Sequence, residues 1–426
     1  MENDERLILN LLNIRYEDAT DVKSVNDGGK VSIYVTLKSN TDTCLFCGSK
    51  SILSNGYYSR KVKVPNEAFN GIDVYLKIPR KKCNDCHKSF SEDKHLAPKN
   101  HQVSYGTIIS VMNLLKNPSM TFKEAARINN ISTMTVIRIF DKHCHIPRLK
   151  FPEVMCIDEV YIKDSSAKSK YSCIFYDFFQ EKIVDIIPSR HKNHLSYYLN
   201  DYVESGELNN VRFICIDMYK PYKDIAKRYF KKAIICADSF HVVKHLNDDL
   251  NGVRIRVMNS YDTSSVEYYL LKNFRYLLFD RTVNLDNDPR FNRKLGRYLN
   301  KRDLLNLILS INEDLYNGFY LKEMYMNFNI ESHDENIERE YDNITGWFIK
   351  ANIPEYDDFI SILTNWKEEI LNSFTIYKGR RINNSVAEGL NSQVKTVMYN
   401  SRGIYDSERR RKRIMYAINK DGFALR

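Results

Sequence analysis

The apolar runs "VRFICID" and "AIICAD" each finish on an aspartate, Asp217 and Asp238, and a third run, "VMCIDEVYI", carries Asp158. A carboxylate leaves water only when something compensates its charge, and a hard divalent cation is one such compensation. Two catalytic cations about 4 Å apart need oxygen ligands from several directions, which calls for carboxylates at the ends of neighbouring strands. Asp158 and Asp217 qualify if the first and fourth strands of this region are neighbours. Glu388 is placed to add a third carboxylate, on the polar side of a helix beginning at Ser385 whose apolar stripe is Val386, Leu390, Val394 and Val397. Each also has a plainer use. Asp158 with Glu159 could be a polar strand end, Asp217 a cap before Pro221, and Glu388 the partner of Ser385 in a capping box. Asp238 and His241 form an Asp-x-x-His pair that could ligate, orient a phosphate or simply bond to each other.

A second constellation is made of sulfur. "CLFCG" holds Cys44 and Cys47, and "CNDCHKSF" holds Cys83 and Cys86. A two-residue gap lets both thiolates of a knuckle face one ion, and two knuckles complete the tetrahedral shell that zinc accepts. A redox dithiol explains one such pair but hardly both. His87 and His95 are possible substitute ligands, but four cysteines leave them no vacancy. Cys156, Cys173, Cys215 and Cys236 sit singly in apolar runs, as small buried hydrophobes do.

These residues need elements to hold them. "GYYSRKVKVP" and "GIDVYLKIPRKK", between the knuckles, alternate like short strands, so residues 1–98 read as an N-terminal arm and a zinc ribbon. Residues 99–150 read as a helix-turn-helix. One helix starts at Tyr105, a second follows the Thr121–Glu124 cap, "NNIS" turns the chain, and a third runs from Thr133 to Lys142. In that arrangement the last helix enters a major groove, with Thr135 and Arg138 as its reading side chains. From 151 to 246 five strand-like runs appear, the first three spaced as a meander and the last two linked by a helix-length crossover and hence parallel. Residues 247–373 read as helices, and 374–426 as C-terminal helices that return to the strands. The fold class is therefore multidomain α/β with a mixed sheet and a long helical stretch.

Composition sets the frame. The 426 residues are 43% hydrophobic and 28% charged, as in a folded chain, with a net charge of +10. Between Ile376 and Lys420 eleven Lys or Arg face three Asp or Glu. So local a field suits phosphates, although it also suits a solvated helix face. "YKGRR" (Lys378, Arg380, Arg381) and "RRRKR" (Arg409, Arg410, Arg411) are the candidates to hold DNA. No basic start with a long apolar stretch marks a leader, and no run reaches the roughly 18 apolar residues of a membrane span, so the expected place is the cytoplasm.

In "CLFCG…CNDCHKSF", "CIDEVYIK", "RFICIDMYKPY", "KKAIICADSFHVVKHLNDDLNGVR" and "RINNSVAEGLNSQVKTVMYNSRG" the chain resembles the bacterial insertion-sequence transposases of the DDE type. These carry a zinc ribbon and a helix-turn-helix before the catalytic domain, and the likeness covers essentially the whole chain. The resemblance implies a ribonuclease-H-like fold with a helical insertion after the fifth strand. It puts the catalytic aspartates on Asp158 and Asp217 and the glutamate on Glu388, holding two Mg²⁺ ions, with Mn²⁺ as an alternative. Asp238 and His241 fall on the family's accessory Asp-x-x-His; a competing alignment makes Asp238 the second catalytic aspartate. Where the family often has Gly before its first Ile-Asp, this chain has Cys156. The implied partners are double-stranded DNA, as element ends carrying terminal inverted repeats and as target, and a second copy of the chain in a synaptic dimer or larger assembly at the nucleoid. Three other readings compete: a zinc and helix-turn-helix regulator without catalysis, a nuclease that cuts without joining, and a tyrosine recombinase.

Overall fold

In a computed structural model the chain is described over residues 3–28, 30–65, 71–91, 96–98, 101–164, 169–331, 336–401 and 406–425. His95 lies outside the described residues. The chain forms two compact units, one from residues 1–148 and 391–426, the other from 149–390.

The first unit opens with helix α1 (Asn3–Leu11) and strands β1 (Ala19–Asp27), β2 (Lys30–Leu37), β3 (Ile52–Val64), β4 (Ile72–Cys83) and β5 (Ser89–Ser91). They pair in the order β1-β2-β4-β3 with β5 on β4, and β2 runs parallel to β4. Ile33, Val35 and Leu37 alternate along β2, and Val74, Leu76 and Ile78 along β4, so one face is apolar and packs with Leu9 of α1 and Leu12 just after it. The segment taken from sequence as an N-terminal arm thus supplies two strands of the sheet. The alternation in "KVSIYVTL" was its signal.

Helices α2 (Tyr105–Leu114), α3 (Phe122–Ile128) and α4 (Thr133–His143) follow. Each starts on a hydroxyl cap: Ser104 accepts from the Thr107 N–H, Thr121 from Glu124 and Ser132 from Thr135. Glu124 turns to Arg127, 2.7 Å away, so only half of a capping box forms at Thr121. Asn130, at φ +49°, makes the left-handed turn between α3 and α4. Val111, Met112, Ala125, Val136 and Phe140 form the core of the three helices.

The second unit is built on β6 (Val154–Asp164), β7 (Ser169–Asp177), β8 (Lys182–Ile187), β9 (Phe213–Ile216) and β10 (Ile234–Ala237), ordered β10-β9-β6-β7-β8. The first three form an antiparallel meander, while β9 and β10 join parallel to β6. Helices α5 (Lys192–Asn200) and α6 (Lys220–Tyr229) make the connections, and α7 (Ser239–Asn259) leaves the end of β10. Beyond it come α8 (Val266–Asn273), the hairpin β11 (Arg290–Asn292) and β12 (Arg297–Leu299), α9 (Lys301–Leu309), α10 (Glu313–Ile330), α11 (Ile337–Ala351), α12 (Asp357–Asn365) and α13 (Lys367–Asn372). The short hairpin β13 (Ile376–Tyr377) and β14 (Arg380–Arg381) leads to α14 (Ser385–Asn400). Sheet and inserted helices share one apolar core, from Phe175 and Ile216 through Leu250 to Tyr356.

The last helix, α15 (Ser407–Asn419), belongs to the first unit. Its Arg413 is buried and donates to the carbonyls of Leu115 (2.8 Å), Asn117 (3.1 Å) and Met120 (2.8 Å). These carbonyls lie past the end of α2, in the turn that leads to α3, where Asn117 also accepts the Met120 N–H at 3.1 Å. Tyr416 donates to the Met112 carbonyl at 3.0 Å, and Arg409 grips Asp141 of α4 through two 2.8 Å bonds. Exchanging Arg413 for Met would remove three hydrogen bonds, one of them to the buried Leu115 carbonyl, and should cost roughly 2–3 kcal/mol of stability. Denaturant unfolding measures it, and an unchanged midpoint would remove Arg413 from this role.

Candidate functional site

The parallel strands of the second unit stand in one register. Cys156, Cys215 and Cys236 align across β6, β9 and β10, and Ile157, Ile216 and Ala237 form the next row. One residue further are Asp158, Asp217 and Asp238. Here β9 and β10 stop, whereas β6 runs on beside β7, with Asp158 opposite Ile174. Asp158 therefore does not end its strand, as read from sequence; it stands where the parallel half of the sheet gives out. Strand alternation sends Ile157 and Ile216 into the apolar core and Asp158 to the face of the cysteines.

The three aspartates differ in their surroundings. Asp158 is buried and accepts the Glu159 N–H at 2.7 Å. Burial pushes its carboxyl up to about 6, with the charges of Asp238 and Glu159 adding and His241 opposing. Burial likewise pushes Asp217 up to about 6, reinforced by Asp158 and Glu159, and its Oδ1 is buried with no hydrogen-bond partner. Two such carboxylates side by side, one with an orphaned oxygen, suit a cation. Asp238 is already saturated. Its Oδ1 accepts from the N–H groups of Phe240 (3.4 Å) and Asn384 (3.2 Å), and its Oδ2 lies 2.8 Å from Nδ1 of His241. That bond raises the His241 pKa against the effect of burial, and the charges of Asp238, Asp158 and Asp217 add to it.

Glu388 lies exposed in the first turn of α14, and its N–H bonds to the Asn384 carbonyl at 3.1 Å. Ser385 is itself helical and donates its N–H to Asn383 Oδ1, so Ser385 and Glu388 do not form a capping box. The segment before α14 is fastened to the sheet at several points. The Cys156 and Cys236 thiols each reach a carbonyl, of Asn383 and Asn372, at 3.5 Å, and Asn372 Nδ2 donates to Ile235 at 2.9 Å. The helix bearing Glu388 thus begins at the row of aspartates. Its carboxylate does not close on the pair: among the described residues, only four cysteines bring three or more donor atoms within 4.8 Å of one another.

Two neighbours escaped the sequence reading. Asn384 is buried with both carboxamide atoms unpartnered, where its place before a helix suggests no more than a cap. Arg190 bonds both oxygens of Glu159, at 2.6 and 2.7 Å, and lies over the rings of Tyr171 and Tyr219. No local signal marks it.

The cysteine cluster lies in the first unit. Cys44 Sγ is 3.6 Å from Cys86 Sγ, and Cys47 Sγ is 3.6 Å from Cys83 Sγ. Zinc–sulfur bonds of about 2.3 Å imply tetrahedral edges of about 3.8 Å, so the four thiols fit a structural zinc ion. Each knuckle turns on a left-handed residue after its second cysteine, Gly48 (φ +74°) and His87 (φ +58°). Burial acts to raise the Cys44 thiol, but the N–H groups of Phe46 and Cys47 outweigh it and hold the thiol at about 7, whereas the neighbouring Cys47 and Cys86 thiols are pushed up.

The basic candidates divide by partner. Arg138 is exposed on α4, whereas Thr135 is half-buried and holds its cap, with its N–H 3.1 Å and its hydroxyl 2.8 Å from Ser132 Oγ. Lys378 pairs with Glu153, and Arg380 lies over the Phe178 ring at 4.3 Å. The Arg381 guanidinium is taken up by Asn329, the Ser373 carbonyl and the Phe374 ring. Arg409 pairs with Asp141, Arg411 with Glu408, and Arg410 is half-buried. Among the described residues no helix is long and apolar enough to cross a membrane.

Comparison with curated proteins gives no match. Residues 155–414 match the family of DDE transposases of the ISL3 type, described as Transposase. The match runs from β6 into α15, over the aspartate row, the helical insertion and α14, and covers well over half of the chain. The chain belongs to the ISL3 family of DDE transposases.

Proposed function

We propose that this protein cuts DNA at the ends of an insertion element and joins the freed 3′-hydroxyls to target DNA, using Asp158, Asp217 and Glu388. The observation that carries the reading is the pair of buried carboxylates at one row of adjacent strands, one of them with an unpartnered oxygen. Mg²⁺ or Mn²⁺ held there would activate the attacking oxygen and stabilise the leaving one. The chain's own residues prepare that site. Asp158 and Asp217 supply the two carboxylates, and Asp217 keeps one oxygen without a hydrogen-bond partner. Asp238 acts as an accessory, since its oxygens are already occupied by Phe240, Asn384 and His241, and it aims the imidazole beside the pair. The bond that ties Asn384 to Asp238 starts α14 at the row and places Glu388 one turn away.

The core of the second unit is read as ribonuclease-H-like, and α3, the Asn130 turn and α4 as a helix-turn-helix that carries Arg138 into a major groove. The cysteine cluster closes a zinc ribbon beside it. Joining two ends needs two copies, and the DNA substrate places the protein at the nucleoid.

Asp158→Asn and Asp217→Asn should each reduce Mn²⁺- or Mg²⁺-dependent cleavage of labelled element ends to background and abolish Mn²⁺ binding in calorimetry, while end binding persists. Asp238→Asn and His241→Ala should lose activity only in part. Cleavage that survives Asp217→Asn but vanishes in Asp238→Asn would transfer the ligand role to Asp238. Glu388→Gln should be inactive, and a fully active variant would return this residue to the solvent-facing side of its helix. Cutting without joining would favour the nuclease.

Elemental analysis should find about one zinc per chain, lost with Cys83→Ser together with cooperative unfolding of the ribbon. A folded, zinc-free wild type would refute the cluster's role. Replacing Arg138 by Ala should weaken binding to the cognate end by about 1–3 kcal/mol and to random duplex much less; equal losses would make it a phosphate contact.

A further inference from the structure

We infer that the solvent face of the N-terminal sheet is a second DNA-contacting surface, one that grips duplex phosphates without reading bases. The inference rests on DNA being the substrate, and its evidence comes from the register of β1 to β4. Lys23, Tyr34, Tyr75 and Lys61 form one continuous row across all four strands. The neighbouring rows bring Asp73 beside Lys63, and Lys77 beside Ser59. Val22, Val35, Val62 and Val74 alternate to the opposite side, into the apolar core.

At the centre is an imbalance of charge. Asp73 is buried, and three ammonium groups converge on it: Lys61 at 2.7 Å, Lys30 at 3.6 Å and Lys63 at 3.9 Å. Burial alone would raise the Asp73 carboxyl, but its bond to Lys61 and the charges of the three lysines outweigh it and hold it below the ordinary range. One carboxylate neutralises one lysine and leaves two positive charges fixed in place. Further acids on this face are Asp21, 3.8 Å from Lys23, and Asp27 at the hairpin end; with Lys23 and Lys77, five lysines stand against three aspartates. Gathering like charges is unfavourable unless a further anion arrives.

Aromatic rings hold the lysines in a lattice. Tyr34 stacks on Tyr75 with 4.9 Å between centroids, Lys61 lies 5.3 Å from the Tyr75 ring, and Lys77 lies 5.0 Å from Tyr57. Ammonium groups and phenols contact phosphate oxygens without regard to sequence. The face also continues into the element proposed to read bases, because Lys63 bonds to the carbonyl of Asn130 in the turn before α4. A duplex seated on α4 would have its flanking phosphates within reach of these lysines.

The test uses the full-length protein without divalent ions, on random duplex and on an element-end duplex, over a range of salt. The triple variant Lys23→Gln, Lys30→Gln, Lys77→Gln leaves the Lys61–Asp73 pair in place, and unchanged zinc content and melting would show it folded. Each lost phosphate contact should lower the slope of log K against log salt by about 0.9, so the triple variant should lose roughly 2–3 and bind both duplexes about tenfold or more weakly. Should the triple variant not fold, Lys23→Glu with Lys77→Glu tests the same two exposed positions. An unchanged slope, or a loss confined to the element-end duplex, would overturn the inference. So would loss of binding to polyglutamate with duplex binding intact, which would make the face a dock for acidic protein. If the wild type bound no DNA at all, the proposed function itself would fail, whereas Asp158→Asn protein that binds normally isolates this surface from the chemistry.

Discussion

The constraint on which the catalytic unit depends is the shared register of three parallel strands. Because β6, β9 and β10 run parallel with the same offset, the cysteines and then the aspartates arrive in rows. The cysteine row is fully buried, and its small side chains let the segment before α14 lie close enough for two thiols to reach its carbonyls. The aspartate row begins where β9 and β10 end, so of its three members only Asp158 still has a neighbouring strand, β7. Carboxylates placed half inside an apolar sheet are costly unless neutralised. The raised pKa values of Asp158 and Asp217 express that cost.

Asp238 solves a different problem in the same row. It caps α7, the helix that opens the insertion, and it also accepts the N–H of Asn384, at the insertion's far end. One carboxylate thus closes a loop of well over a hundred residues onto the sheet. A long loop costs little more entropy than a short one, so a few such bonds suffice to hold its ends. The same carboxylate orients His241, which ties the imidazole to the geometry of the helix start. This gives Asp238 and Asp217 separate duties despite their equivalent positions.

In the first unit, positive charge is sorted by burial. Arg413 became a structural cap for the carbonyls beyond α2, and Arg409 a bridge to α4, so the most basic run of the chain works largely within the protein. The lysines of the sheet face are held at the surface, around a carboxylate too few to neutralise them. Arginine's planar fork suits several fixed acceptors, whereas lysine remains a hydrated point charge.

Local patterns determined much of this protein. Strand alternation around the three aspartates, the two Cys-x-x-Cys knuckles and the hydroxyl caps of α3 and α4 are all written within a few residues, and each has a physical cause that acts over that range. The parallel course of β9 and β10 could be argued as well, from the helix-length crossover between them, whereas the neighbouring of β6 and β9 stood only as a condition. Only the tertiary structure decided which groups are free. Nothing near Asp217 in sequence shows that its Oδ1 is orphaned, nor near Asp238 that Asn384 satisfies it from the far side of the insertion. The same holds for Arg381, claimed by Asn329, and for the lysines that meet at Asp73 from three strands. Secondary structure follows from neighbours along the chain, but the availability of a charge depends on every group that folding brings within a few ångströms of it.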